Sequence, residues 1–115
     1  MGPGGNYFAS SPNDVWVDGS GRLHLRIRWS AGAWRCSEVI LKGSLGHGTY
    51  WFTTESEVED LDPAVVFGAF TWDIFGDDFS IPSWPNREID FEDSRWGNPS
   101  DPTTSQVVVQ PWNVA

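Results

Sequence analysis

Glu88-Ile89-Asp90-Phe91-Glu92 constrains this chain more than any other stretch, because three carboxylates alternate with two large apolar residues at a period of two. In a β-strand that period sends Glu88, Asp90 and Glu92 to one face and Ile89 and Phe91 to the other. The strand is therefore expected to carry an acidic face and a core face. Like charges along one strand face repel one another and lower stability, so an arrangement that keeps three of them has a cost to explain. Two readings follow. The acids are solvated on the outer side of a half-exposed strand, or they are held together for chemistry.

The rest of the chain reads as further strands separated by turn residues, which predicts an all-β fold. Val15-Trp16-Val17 is followed by Asp18-Gly19-Ser20-Gly21, and then Leu23, Leu25, Ile27 and Trp29 alternate with His24, Arg26 and Arg28, the pattern of a hairpin. Strands are expected over residues 34–40, from Thr49 to Val58, from Val65 to Trp72 and from Gln106 to Gln110. Gly68, inside one of them, predicts a bulge or a close backbone approach. Gly76, Pro82 and Pro85 make residues 73–86 a loop leading into the acidic strand, and residues 97–104 form another. No helix of normal length, repeat or low-complexity linker is expected.

Charge excludes some partners. Seven Lys and Arg stand against 16 Asp and Glu, a formal charge of −9, which opposes binding to phosphate backbones and to anionic membranes. Nucleic acid and membrane are not expected as partners, since no apolar run approaches the roughly 20 residues that span a bilayer. Cys36 is the only cysteine, so no intrachain disulfide or thiolate cluster can form, and it reads as a small buried apolar residue. His24 and His47 lie far apart with no carboxylate at ligand spacing, so no metal site and no cofactor is expected. His24 is expected on the polar face of its strand. Glu55, Glu57, Glu59, Asp60 and Asp62 read as a solvated face and turn, and Asp77-Asp78 supplies too few acids for a cation. Eight Trp, seven Phe and two Tyr can serve as core or as platforms for sugar rings, and composition does not divide them between those roles.

Closely spaced carboxylates are what glycoside hydrolysis needs: one as nucleophile or base, another protonated as general acid, with an oxocarbenium-like transition state between them. Arg87-Glu88-Ile89-Asp90-Phe91-Glu92 resembles the active-site strand of glycoside hydrolase family 16, the β-glucanases and related enzymes with a concanavalin A-like jelly-roll sandwich. The resemblance extends in order through Gly2-Pro3-Gly4-Gly5-Asn6-Tyr7-Phe8, Val15-Trp16-Val17-Asp18, Arg22-Leu23-His24-Leu25, Gly48-Thr49-Tyr50, Phe70-Thr71-Trp72-Asp73, Ser94-Arg95-Trp96-Gly97-Asn98-Pro99 and Gln106-Val107-Val108-Val109-Gln110-Pro111. It implies an antiparallel jelly-roll β-sandwich and a catalytic domain longer than this chain. Residues 1–115 are thus expected to be a single partial domain, the N-terminal portion.

The resemblance also implies roles. Glu88 would be the nucleophile, Asp90 the assisting carboxylate and Glu92 the general acid/base of an endo-acting, retaining hydrolase that cleaves internal β-linkages of a glucan or galactan. An extracellular or periplasmic location goes with it, although this chain opens with no signal peptide. Trp72, Trp84 and Trp96 adjoin the acidic strand or its loops and are expected to stack on sugar rings, with Asn6 and Arg95 as weaker hydrogen-bonding candidates. The chain departs from the family at Asn86, where many members have Trp, and at Trp51 and Thr53, where many have Glu and Arg. Those departures bear on the pocket, not on the acids. The competing class is a carbohydrate-binding or lectin-like module, which uses the same sandwich without three repelling carboxylates; a third reading is a fragment of the enzyme with no activity of its own.

Overall fold

The computed structural model describes residues 5–72 and 88–110, and within them the fold is all-β. Eight strands form, and no α-helix is present among the described residues; Val58–Asp60 is a single 3-10 turn. No helix there is long and apolar enough to cross a membrane. The chain divides into two units, Met1–Gly48 and Thr49–Ala115.

In the first unit, β1 (Tyr7–Phe8), β5 (Ala33–Cys36) and β4 (Arg28–Ser30) form one sheet, with β1 parallel and β4 antiparallel to β5. The predicted hairpin is present as β2 (Val15–Val17) and β3 (Leu23–Leu25), with Trp16 opposite His24. Asp18 builds its turn. The carboxylate accepts the backbone N–H groups of Ser20 at 2.8 Å and Arg22 at 3.0 Å, and Gly21 takes the left-handed φ of 83° that closes the loop. His24 stacks flat on Trp16 at 4.5 Å, the Arg26 guanidinium lies over the same indole at 4.7 Å, and the His24 ring bonds Asp18 Oδ2 at 3.1 Å.

The alternation read from Leu23 to Trp29 does not continue as one strand. It breaks between β3 and β4, where the Arg26 N–H bonds the Asp14 carbonyl at 3.0 Å. Asp14 is 1% exposed, and its carboxylate receives the Arg28 guanidinium and the Ser11 hydroxyl. Those two bonds, Arg28 first, hold the Asp14 carboxyl down at about 2.

The second unit contains a three-stranded antiparallel sheet in the order β6 (Phe67–Phe70), β7 (Ile89–Asp93), β8 (Ser105–Val109). The strand expected from Thr49 to Val58 does not form. No other strand among the described residues supplies it with a ladder, and the stretch has no period-two face to pair, since Tyr50, Trp51 and Phe52 are consecutive and Thr53 to Glu57 are all polar.

The expected core face of β7 is also corrected. Phe91 is 55% exposed and Ile89 only half-buried, and no apolar side chain is fully buried among the described residues. The face that holds Phe91 also carries Val107 and Val109, 64% and 47% exposed, so among the described residues no second layer covers it. Cys36 likewise is half-buried rather than core: its thiol donates to the Tyr7 carbonyl at 3.2 Å, and desolvation pushes its pKa up.

Candidate active site

The site is built on β7 by strand parity. Asp90 and Glu92 share one face, and the Gln110 N–H bonds the Glu88 carbonyl at 3.0 Å, which carries the ladder to Glu88 and keeps it on the same side. Ile89, Phe91 and Asp93 take the other face. Asp93, a fourth acid in the stretch, therefore lies off the site and accepts the Ser105 hydroxyl.

Three rungs cross the sheet on the acidic face. Gly68 and Gln106 flank Glu92, Phe70 and Val108 flank Asp90, and the same register sets Trp72 and Gln110 on either side of Glu88. One backbone bond beyond β6 supports that extension, Thr71 N–H on the Ile89 carbonyl at 3.0 Å, while the Ile89 N–H turns to the Thr71 side-chain Oγ1 at 2.9 Å. Each acid thus has a neutral neighbour on both sides. β6 contributes glycine and aromatics, while β8 contributes amides and valine.

The acids are not simply solvated. Asp90 is 6% exposed, and its Oδ2 accepts the Gln110 amide at 2.8 Å; the Glu92 Oε2 accepts the Gln106 amide at 2.6 Å. A buried carboxylate without a partner would carry a large desolvation penalty, so the amides offset part of the cost of grouping the acids. Gly68 makes neither a bulge nor an unusually close approach: the register through it is regular, and a Cβ there would meet the Phe91 carbonyl at 3.5 Å and Glu92 Cγ at 3.6 Å, ordinary contact distances.

The expected sugar-binding residues are placed unequally. Trp72 is 39% exposed and meets Phe70 edge to face, with ring centroids 6.2 Å apart, at the Glu88 end of the acidic face. Trp96, in the loop after β7, is 43% exposed at a φ of 45°, a left-handed conformation that is strained for a bulky residue. Ser94 Oγ and Gly97 hold that turn, accepting the Trp96 N–H at 2.9 Å and donating N–H to the Pro63 carbonyl at 2.7 Å respectively. Arg95 is half-buried and lines a shallow crevice with Glu59, Asp62 and Thr104. Asn6 is exposed, immediately before β1 in the other unit. Trp84 and the 73–86 loop lie outside the described residues.

Gln106 and Gln110 were not among the residues expected in the site. Their period of four beside acids at a period of two is visible in the sequence, but the β7–β8 register depends on the irregular loop between them. That loop is closed by the Ser94 N–H on the Thr104 carbonyl at 2.8 Å.

No family model, no curated protein and no solved structure matches this chain.

Proposed function

We propose that the chain carries the catalytic strand of a retaining, endo-acting glycoside hydrolase of the family-16 type, with a jelly-roll sandwich as its full architecture. The observation that carries the reading is the acidic face itself: three carboxylates on one side of β7, one of them buried, ringed by amides and aromatics and by no cationic residue of β6 or β8. A binding module gains nothing from concentrating negative charge at its sugar platform. The uncovered Phe91, Val107 and Val109 face is where a sandwich's second sheet would pack.

Glu88 attacks the anomeric carbon, the bond to the leaving sugar oxygen breaks, and that oxygen takes the proton of Glu92. A water then attacks the same carbon, Glu92 takes its proton, and the bond to Glu88 breaks, so enzyme and charge return to their starting state. Asp90, buried between them, supports the positive charge developing on the sugar. Trp72 supplies an apolar plane for the axial C–H groups of a pyranose beside Glu88. Thr49–Ala115 carries thirteen Asp and Glu against two Arg and no Lys, which supports a neutral polysaccharide over a sulfated one.

The test is a pair of variants assayed on oligosaccharides and on aryl glycosides with good leaving groups. Glu88→Gln should abolish turnover of both. Glu92→Gln should spare the first step on the aryl glycoside, which needs little protonation, and azide should rescue it as a β-glycosyl azide. Equal loss in both variants without rescue would remove the assigned roles.

A further inference from the structure

We infer that Gln106 is a positioning residue for proton delivery by Glu92, an inference that rests on the glycosidase reading above. Gln106 is the β8 residue directly opposite Glu92, and its Nε2 donates to Oε2 at 2.6 Å. A protonated carboxyl has one O–H, and an oxygen that already accepts an amide N–H is held as the acceptor. The proton of Glu92 is thereby directed to Oε1. An amide is well suited to this because it neither takes nor supplies a proton.

The opposite flank is open by construction. Gly68 is the β6 partner of Glu92 and brings no side chain over it, and even a Cβ there would stand 3.6 Å from Glu92 Cγ. Glu92 is therefore tied through Oε2 on its β8 side, and its β6 partner places no side chain beside it. Among the described residues, the other charged groups that β6, β7 and β8 place on this face are Glu88 and Asp90; β6 contributes Gly68 and Phe70, and β8 contributes Gln106 and Val108. Gln110 repeats the device on Asp90 Oδ2 at 2.8 Å.

The bond matters most when charge moves. As the O–H on Oε1 breaks and its proton joins the leaving sugar oxygen, the electron pair left behind spreads over both oxygens of Glu92. The Gln106 N–H is already in place to stabilise it. A hydrogen bond to a charged acceptor is roughly twice as strong as one between neutral groups, so the contact strengthens toward the transition state.

The experiment compares the native chain with Gln106→Leu and Gln106→Met on two substrates. One is an oligosaccharide with a sugar leaving group, the other a dinitrophenyl glycoside whose leaving group needs no protonation. Loss of positioning should lower kcat on the oligosaccharide by about tenfold to a hundredfold with KM unchanged. The dinitrophenyl glycoside should stay within about twofold, because acid assistance is not used there. Equal losses on both substrates, or none, would overturn the inference. Independently of turnover, the side-chain amide resonance of Gln106 should move in Glu92→Leu; an unmoved resonance also overturns it. A native chain that cleaves neither substrate removes the glycosidase reading and this inference together, whereas native cleavage with an indifferent Gln106→Leu removes this inference alone.

Discussion

Replacing Phe91 by Thr separates a side chain waiting to be covered from one already in a core. Phe91 projects from β7 between Ala69 and Val107, on the face opposite the acids, and is 55% exposed. Fully burying a Phe contributes about 1.5–3 kcal/mol, and less than half of its surface is covered here, so its present contribution is about 1 kcal/mol. Thr, like Phe, favours strands, which leaves burial as the main difference. In urea unfolding followed by tryptophan fluorescence, Phe91→Thr should cost about 1 kcal/mol or less. The same substitution removes the largest element of an exposed apolar patch that includes Val107 and Val109 beside the β8 edge. Light scattering should show native chains self-associating at micromolar concentration and Phe91→Thr shifted toward monomer, with weaker binding of an apolar dye. A loss of about 3–5 kcal/mol, the scale of a deleted core aromatic, would refute the reasoning, as would unchanged association.

Two further outcomes are expected. Asp14 and Asp18 are both held at about 2 instead of the usual 3.8, by the Arg28 side chain at Asp14 and by the Arg22 backbone N–H at Asp18. Their stabilisation is fully present above 3.8 and is lost as pH falls through about 2. The indole resonance of Trp16, stacked in the Asp18 hairpin, should therefore hold its position down to the upper edge of that window and collapse within it, whereas Asp18→Asn should weaken the hairpin already at neutral pH. Trp72→Ala and Trp96→Ala should each weaken binding of a neutral oligosaccharide by about 1–3 kcal/mol in calorimetric titration, the scale of one lost stacking platform. Lower stability with unchanged affinity would instead make them structural.

The sequence shows the acidic face because parity is local: once Ile89 to Asp93 is a strand, Asp90 and Glu92 must share a side. The Asp18 turn is legible for the same reason, since Asp-Gly-Ser-Gly closes a hairpin through contacts within four residues. What parity cannot give is what lies across the ladder. Gln106 and Gln110 become partners of Glu92 and Asp90 only through the register set by the 94–104 loop. Burial is equally non-local. The pattern assigns Phe91 a covered side, but cover comes from another layer, and among the described residues none lies on it, while Asp90 on the acidic face is 6% exposed. The missing Thr49–Val58 strand has the same cause, since among the described residues no strand pairs with it.

The anomeric configuration of the first product tests the central claim most directly. Glu88 and Glu92 stand four residues apart, about 13 Å in a flat strand at ~3.3 Å per residue, and retention needs carboxyl groups only about 5–5.5 Å apart. Both side chains must therefore lean toward the substrate over Asp90. Proton NMR of a neutral β-glucan oligosaccharide, recorded before mutarotation, should show the β-anomer released first. An initial α-anomer would mean inversion and would remove Glu88 from the role of nucleophile.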